Sequence, residues 1–82
     1  MECRIQVVNQ TEEPTTVYLA GHLQAAQVHE LHRICAAATG RVRIDLTDLL
    51  SADPVGIDAL SRLRRTGVEL VGVAHYLRRR LA

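Results

Sequence analysis

The 82-residue chain contains no lysine, no phenylalanine and no tryptophan, and it has only two tyrosines. All ten cationic side chains are arginines, whose planar guanidinium groups suit bidentate contacts with carboxylate or phosphate. No apolar run approaches the roughly twenty residues that span a bilayer. The opening residues, MECRIQVVNQ, lack the basic and apolar blocks of a signal peptide. These absences predict a cytoplasmic protein that does not insert into a membrane.

Cysteine is also scarce, because Cys3 and Cys35 are the only two in the chain. They do not form a CxxC motif, and in a reducing compartment such cysteines usually behave as small apolar residues. We therefore assign them no redox role.

The size of the chain favours a binding module over an enzyme. A chain of 82 residues, 48% of them hydrophobic, suffices for one domain spanning residues 1–82. A domain of this size buries about 60–65% of its unfolded surface. So small a core leaves little room for an internal substrate cavity, so we expect any binding site on the surface.

Charge is unevenly distributed, although the net charge is only +1. Residues 1–53 hold four arginines against seven acidic residues, and residues 54–82 hold six arginines against two. Arg78, Arg79 and Arg80 form a short basic cluster near the end of the chain. With so few aromatic residues to stack on bases, we interpret this cluster as a solvated helix end and not as a nucleic-acid site.

The first half of the chain predicts two strands and a helix. Runs rich in β-branched and aromatic residues at 4–8 and 16–20 flank the turn residues 11–14, which predicts an antiparallel hairpin. Apolar residues then recur at helical spacing from about Gln24 to Ala38, before Gly40.

The second half predicts two more strands and two more helices. Val42, Ile44 and Leu46 alternate with polar residues and predict a strand, and residues 68–73 predict another. Residues 74–81 predict a short arginine-rich helix. The resulting order, ββαβαβα, indicates an α/β fold with a mixed β-sheet of about four strands and helices packed on it. The third and fourth strands should be parallel, because a helix connects them.

The helix between these strands has clear end signals. Asp53 is a favourable N-cap, Pro54 suits the first helical position, and Gly67 lies where a glycine ends a helix. A helical wheel places four apolar residues on the core face: Val55, Ala59, Leu60 and Leu63. Ile57 falls outside this stripe, which leaves it either an exposed anchor for a partner or a half-buried edge residue.

The order of elements and three short motifs resemble the STAS family, the sulfate-transporter and anti-sigma-factor-antagonist domain. The family motifs Gly-x-Leu-Asp, Asp-Leu and Asp-Ser-Ser/Thr-Gly correspond here to GHLQ at residues 21–24, DL at 45–46 and DPVG at 53–56. The resemblance covers nearly the whole chain. It implies a STAS-like fold and a function in protein–protein interaction.

The chain departs from the family at the position that carries the switch. In classical members a serine in this turn is phosphorylated by a partner kinase, but the two corresponding residues here are Pro54 and Val55. Neither can accept the phosphate, which would add about 1.5 to 2 negative charges. Gln24 likewise stands where the family often has aspartate. Thr47 and Ser51 remain as hydroxyls outside the motif, and we expect no phosphorylation switch at this turn.

The resemblance implies that a protein partner binds at the start of the second helix. The predicted partner-binding residues are Asp53, Pro54, Val55, Gly56, Ile57, Asp58, Arg62 and Arg65. The partner expected from the family is a kinase-like anti-sigma factor, which would make the chain a regulator of transcription. The alternative is a small cytoplasmic STAS subunit that braces the ATPase of a lipid-transporting ABC complex.

Other site chemistries find little support in the sequence. His29, His32 and Cys35 follow one another at steps of three, which rotate around a helix, so the side chains do not converge on a metal. Neither Ser51 nor Cys35 lies in a nucleophile motif, and no glycine-rich phosphate loop is present. We therefore predict no metal, no cofactor and no enzymatic activity.

Overall fold

The computed structural model describes residues 3–8, 14–38 and 40–81. Their order is ββαβαβα, as the sequence predicts. The elements are β1 (Cys3–Val8), β2 (Thr15–Leu23), α1 (Ala25–Ala37), β3 (Val42–Ala52), α2 (Pro54–Arg65), β4 (Glu69–Val71) and α3 (His75–Arg78). The predicted turn residues 11–13 lie outside the described residues.

The described strands form one mixed sheet in the order β1-β2-β3-β4. β1 and β2 are antiparallel, as expected of a hairpin, whereas β2 pairs with β3 and β3 with β4 in parallel. Both parallel pairs are joined through a helix, which is the connection that parallel neighbours require. The predicted fold class is therefore confirmed.

The core lies on the helical side of this sheet. Val17 and Leu19 on β2, and Ile44 and Leu46 on β3, are at most 1% exposed, while Tyr18 between the first two is 42% exposed. This alternation shows a sheet with one face covered by the helices and the other facing solvent. Among the described helices, none is long and apolar enough to cross a membrane.

Several elements differ in length from the prediction. β2 (Thr15–Leu23) is longer than the predicted 16–20, and β4 (Glu69–Val71) is shorter than the predicted 68–73. β3 continues to Ala52, because its pairing with β2 extends as far as Leu23 opposite Ala52, even where the alternation of its side chains breaks down. The last helix covers only His75–Arg78. The chain then turns tightly, with the amide of Leu81 donating to the carbonyl of Leu77, and both of these leucines are buried.

Candidate functional site

The carboxylate of Asp53 joins the starts of the two long helices. One oxygen accepts a hydrogen bond from the amide of Gly56 at 2.7 Å, which is the predicted N-cap contact of α2. The other oxygen accepts from the amide of Ala25, the first residue of α1, at 3.0 Å. The amide of Asp53 also donates to the carbonyl of Leu23 at the end of β2. One residue therefore holds the ends of three elements together.

Gly56 is buried because α2 approaches β2 closely at this point. A β-carbon at position 56 would lie 3.0 Å from the carbonyl oxygen of Leu23 and 3.0 Å from its side-chain Cγ. This is tighter than an ordinary van der Waals contact, so a glycine is needed for the observed approach. The first turn of α2 is thereby fixed against the end of the sheet. We call the first turn, residues 53–58, the α2 tip.

Two apolar residues in the α2 tip differ in exposure from the prediction. Val55, predicted to lie in the core stripe, is 52% exposed, and Ile57, expected as either an exposed anchor or a half-buried edge residue, is only 8% exposed. Successive helical residues are turned by about 100°, so with Gly56 facing Leu23, Val55 and Ile57 lie on opposite sides of the contact. The prediction for Val55 was wrong, and Ile57 does not offer an exposed surface to a partner.

The C-terminal segment lies beside one side of α2. Leu77 and Leu81 belong to the same buried cluster as Ile57. Arg80 also lines, together with Pro54, Ile57, Asp58 and Ser61, a shallow groove of about 340 Å³ beside the tip. Ile57 is therefore buried on the side of α2 that faces the C-terminal segment, whereas Val55 is exposed.

Three of the four large apolar side chains that are exposed among the described residues lie at this end of the molecule. Leu50, near the end of β3, is 68% exposed, Val55 is 52% exposed and Tyr76 is 40% exposed. The hydroxyl of Tyr76 donates to the carbonyl of Leu49 at 3.1 Å, which places α3 beside the end of β3. Sequence reasoning missed Leu50 and Tyr76. The available signal was the pair Leu49-Leu50, which breaks the strand alternation, so that only one of the two can be buried.

The predicted charged residues do not all belong to the α2 tip. Asp58 and Arg62 form an exposed ion pair at 3.0 Å, as their spacing of four predicts. Arg65 is the last residue of α2, and at about 1.5 Å per residue it lies roughly 17 Å along the axis from Pro54. The structure therefore brings residues 53–58 together with Arg62 beside them and leaves Arg65 at the far end of the helix.

The two hydroxyl residues outside the motif, Ser51 and Thr47, both lie on β3. Ser51 is half-buried, and its Oγ lies 2.5 Å from Nδ1 of His22 on the neighbouring strand. Thr47 is exposed, and its amide donates to the carboxylate of Asp45. The turn itself, residues 53–56, carries no hydroxyl.

The cysteines and histidines are dispersed in the structure. His29 and His32 are exposed on α1, while Cys35 is half-buried, and no group of three metal-ligating side chains is found within residues 3–8, 14–38 and 40–81. Burial raises the pKa of the Cys3 and Cys35 thiols, which disfavours the nucleophilic thiolate.

Comparison with known proteins finds similar solved structures. No protein-family model matches the chain, and no curated protein matches it significantly. Among solved structures, it is similar to an anti-sigma-factor antagonist STAS domain from Rhodobacter sphaeroides, with a TM-score of 0.57 and 24% identity over 87% of this chain and 85% of that one. It is also similar to an uncharacterised protein from Shewanella loihica with a SpoIIAA-like fold, with a TM-score of 0.56 and 15% identity over 90% of this chain and 69% of that one. The chain therefore has a STAS-like, SpoIIAA-like fold.

Proposed function

We propose that the chain is a non-enzymatic protein–protein interaction module of the anti-sigma-factor-antagonist type. It docks a protein partner, a kinase-like anti-sigma factor, through the α2 tip. The similar structure from Rhodobacter sphaeroides is described as an anti-sigma-factor antagonist, which supports this class of function. The observation that carries the proposal is the rigidly held tip that exposes Val55.

The tip suits docking because little has to be ordered when a partner binds. Asp53 fixes the helix start through both carboxylate oxygens, and Gly56 seats it on β2. Preorganisation lowers the entropic cost of association. Val55 then offers an apolar contact, with Asp58 and Arg62 as a polar rim, which is a common arrangement in protein interfaces.

The chemistry of the turn makes the docking constitutive. Pro54 and Val55 stand where the family carries its phosphorylated serine, so the partner's kinase activity cannot place a charge at this helix start. The complex should therefore persist in ATP, whereas a phosphorylated antagonist would be released.

Val55→Asp tests the docking surface. The purified chain would be mixed with a kinase-like anti-sigma factor from the same organism, and affinity measured by calorimetry with and without ATP. We expect Val55→Asp to weaken binding by about ten-fold or more, because it places a charge in an apolar contact. ATP should leave the wild-type affinity unchanged, with no phosphate incorporated between Thr47 and Ser61.

Ala36→Asp is the matched control. Ala36 is exposed on α1, near the end of that helix remote from the α2 tip, so the same introduced charge should leave affinity within about two-fold of wild type. Equal affinity of Val55→Asp and wild type would remove the α2 tip from the interface. Phosphate found on Ser51 or Thr47 would refute constitutive docking.

A further inference from the structure

The outer edge of β4 is unpaired within the described sheet. β4 is the last strand in the order β1-β2-β3-β4, and its only strand partner there is β3. An edge strand presents backbone N–H and C=O groups that can pair with an added strand. This edge is a second candidate interaction surface, separate from the α2 tip.

A groove lies against this edge. Leu70, Gly72 and Val73 line it from β4 and the residues after it, and Leu81 lines it from the C-terminal segment. Two arginines complete its lining, Arg64 on α2 and Arg78 on α3. The groove is open and has a volume of about 320 Å³. We call it the β4 groove.

The positive charge around the β4 groove is not neutralised by the described part of the chain. Arg64, Arg65 and the three arginines at positions 78–80 are exposed, and none forms an ion pair with a described residue. The two acidic residues of this half of the chain are already engaged. Glu69 pairs with Arg43 at 3.0 Å, and Asp58 pairs with Arg62 at 3.0 Å.

We propose that the β4 groove binds an extended acidic segment of another protein, which adds to β4 as a further strand. Its backbone pairs with the free edge, and the carboxylates at every second position face the helical side of the sheet, where they meet Arg64 and Arg78. Guanidinium groups bind carboxylates bidentately, and strand addition takes its affinity from the main chain and its specificity from alternate side chains. This surface is independent of docking at the α2 tip, because Arg64 lies ten residues, or about 15 Å, along α2 from Pro54.

The lining of the groove favours an acidic peptide over a nucleic acid. It contains no aromatic side chain on which bases could stack. A strand added to β4 turns every second side chain towards the helical face of the sheet, where Arg64 and Arg78 lie, so carboxylates at alternate positions can meet both arginines.

Fluorescence anisotropy with a defined probe tests the proposal. The probe is a fluorescein-labelled ten-residue peptide of alternating glutamate and valine, and its counterpart carries glutamine in place of glutamate. We expect the acidic peptide to bind about ten-fold or more tightly than the neutral one, and its affinity to fall as salt rises. Equal binding of the two peptides would overturn the proposed charge recognition.

Paired charge reversals locate the binding surface. Arg64→Glu/Arg78→Glu should weaken binding of the acidic peptide by about ten-fold or more. Arg65→Glu/Arg79→Glu changes the net charge by the same amount at exposed positions outside the groove, so it should weaken binding by no more than about three-fold. Circular dichroism of each variant checks that it is folded. An equal loss in both variants would mean attraction by net charge and would overturn the assigned site.

Two further measurements separate strand addition from other modes of binding. Hydrogen exchange should show added protection of amides in residues 69–73 when the acidic peptide is bound, because paired edge amides exchange slowly. Unchanged exchange there would refute strand addition. A twelve-nucleotide oligo(dT) should bind more weakly than the peptide, and tighter binding that depends on Arg64 and Arg78 would assign the groove to nucleic acid instead.

Discussion

At the scale of single residues, Gly56 fixes the position of the α2 tip against β2. A β-carbon at this position would come within 3.0 Å of the backbone oxygen of Leu23, the same oxygen that accepts the amide of Asp53. Backbone cannot move aside as the end of a long side chain can. Gly56 has no side chain, so α2 can pack closely on Leu23, and this orientation of the helix leaves Val55 exposed.

Gly56→Ala tests this dependence, because two effects with opposite signs compete. Alanine has the better helix propensity, by about 1 kcal/mol, and would stabilise the protein if the space were open. The close contact with Leu23 should outweigh this gain and lower the free energy of unfolding by about 1–3 kcal/mol. Urea denaturation measures the difference. A more stable variant would show that α2 does not need this close approach.

At the scale of elements, the starts of α1 and α2 are connected through Asp53. Helix starts leave backbone amides without intrahelical partners, and here one carboxylate satisfies an amide of each helix. Gln24 precedes α1, and its amide donates to the side chain of Gln27 at 3.2 Å, so the residue that differs from the family motif still takes part in the helix start. The starts of α1 and α2 are therefore held in a fixed relative position in the free chain.

Asp53→Ala should therefore cost more than the loss of an ordinary cap. We expect the free energy of unfolding to fall by about 2 kcal/mol, since typical N-cap substitutions cost about 1 kcal/mol and a second hydrogen bond is lost here. Hydrogen exchange should show that the amides of both Ala25 and Gly56 lose protection.

Asp58→Ala is the control for removing a carboxylate from the same helix. Its partner Arg62 is exposed, so the substitution should change stability by no more than about 0.5 kcal/mol. If Asp53→Ala is no more destabilising than Asp58→Ala, Asp53 does not link the helices energetically.

At the scale of the whole molecule, the absence of lysine simplifies its behaviour in alkali. In an unfolded chain, cysteine and tyrosine side chains lose their protons between about pH 8 and pH 10.5. Burial raises the pKa of Cys3, Cys35 and Tyr76. The folded chain therefore retains protons in a pH range where the unfolded chain has begun to lose them.

The sign of the resulting pH dependence follows from linkage. Stability is fully present below the pKa values of the unfolded chain and falls as the pH rises through the raised values of the folded state. We expect urea denaturation to give a lower free energy of unfolding at pH 10.5 than at pH 8. The fall should be smaller in a Cys3→Ala/Cys35→Ala variant. A free energy that does not change over this range would contradict the assigned burial of the thiols.

Local chemistry made much of the fold predictable from the sequence. The alternation of Val42, Ile44 and Leu46 requires a strand with one buried face, and Asp53-Pro54 specifies a helix start through properties of those two residues alone. Gly67 at the end of α2 has a φ of 108°, as a helix-ending glycine requires. The order of elements, the parallel pairing and the cap of α2 all follow from such short-range rules.

Only the tertiary structure decided which residues the α2 tip exposes. Helical spacing fixes the angles between Val55, Gly56 and Ile57 but not which of them faces the core. That choice depends on the contact of Gly56 with Leu23 and on the C-terminal segment packed beside Ile57. The second hydrogen bond of Asp53 and the β4 groove likewise join residues far apart in the chain. Sequence periodicity reports the local geometry of one element, whereas exposure depends on which other elements pack against it.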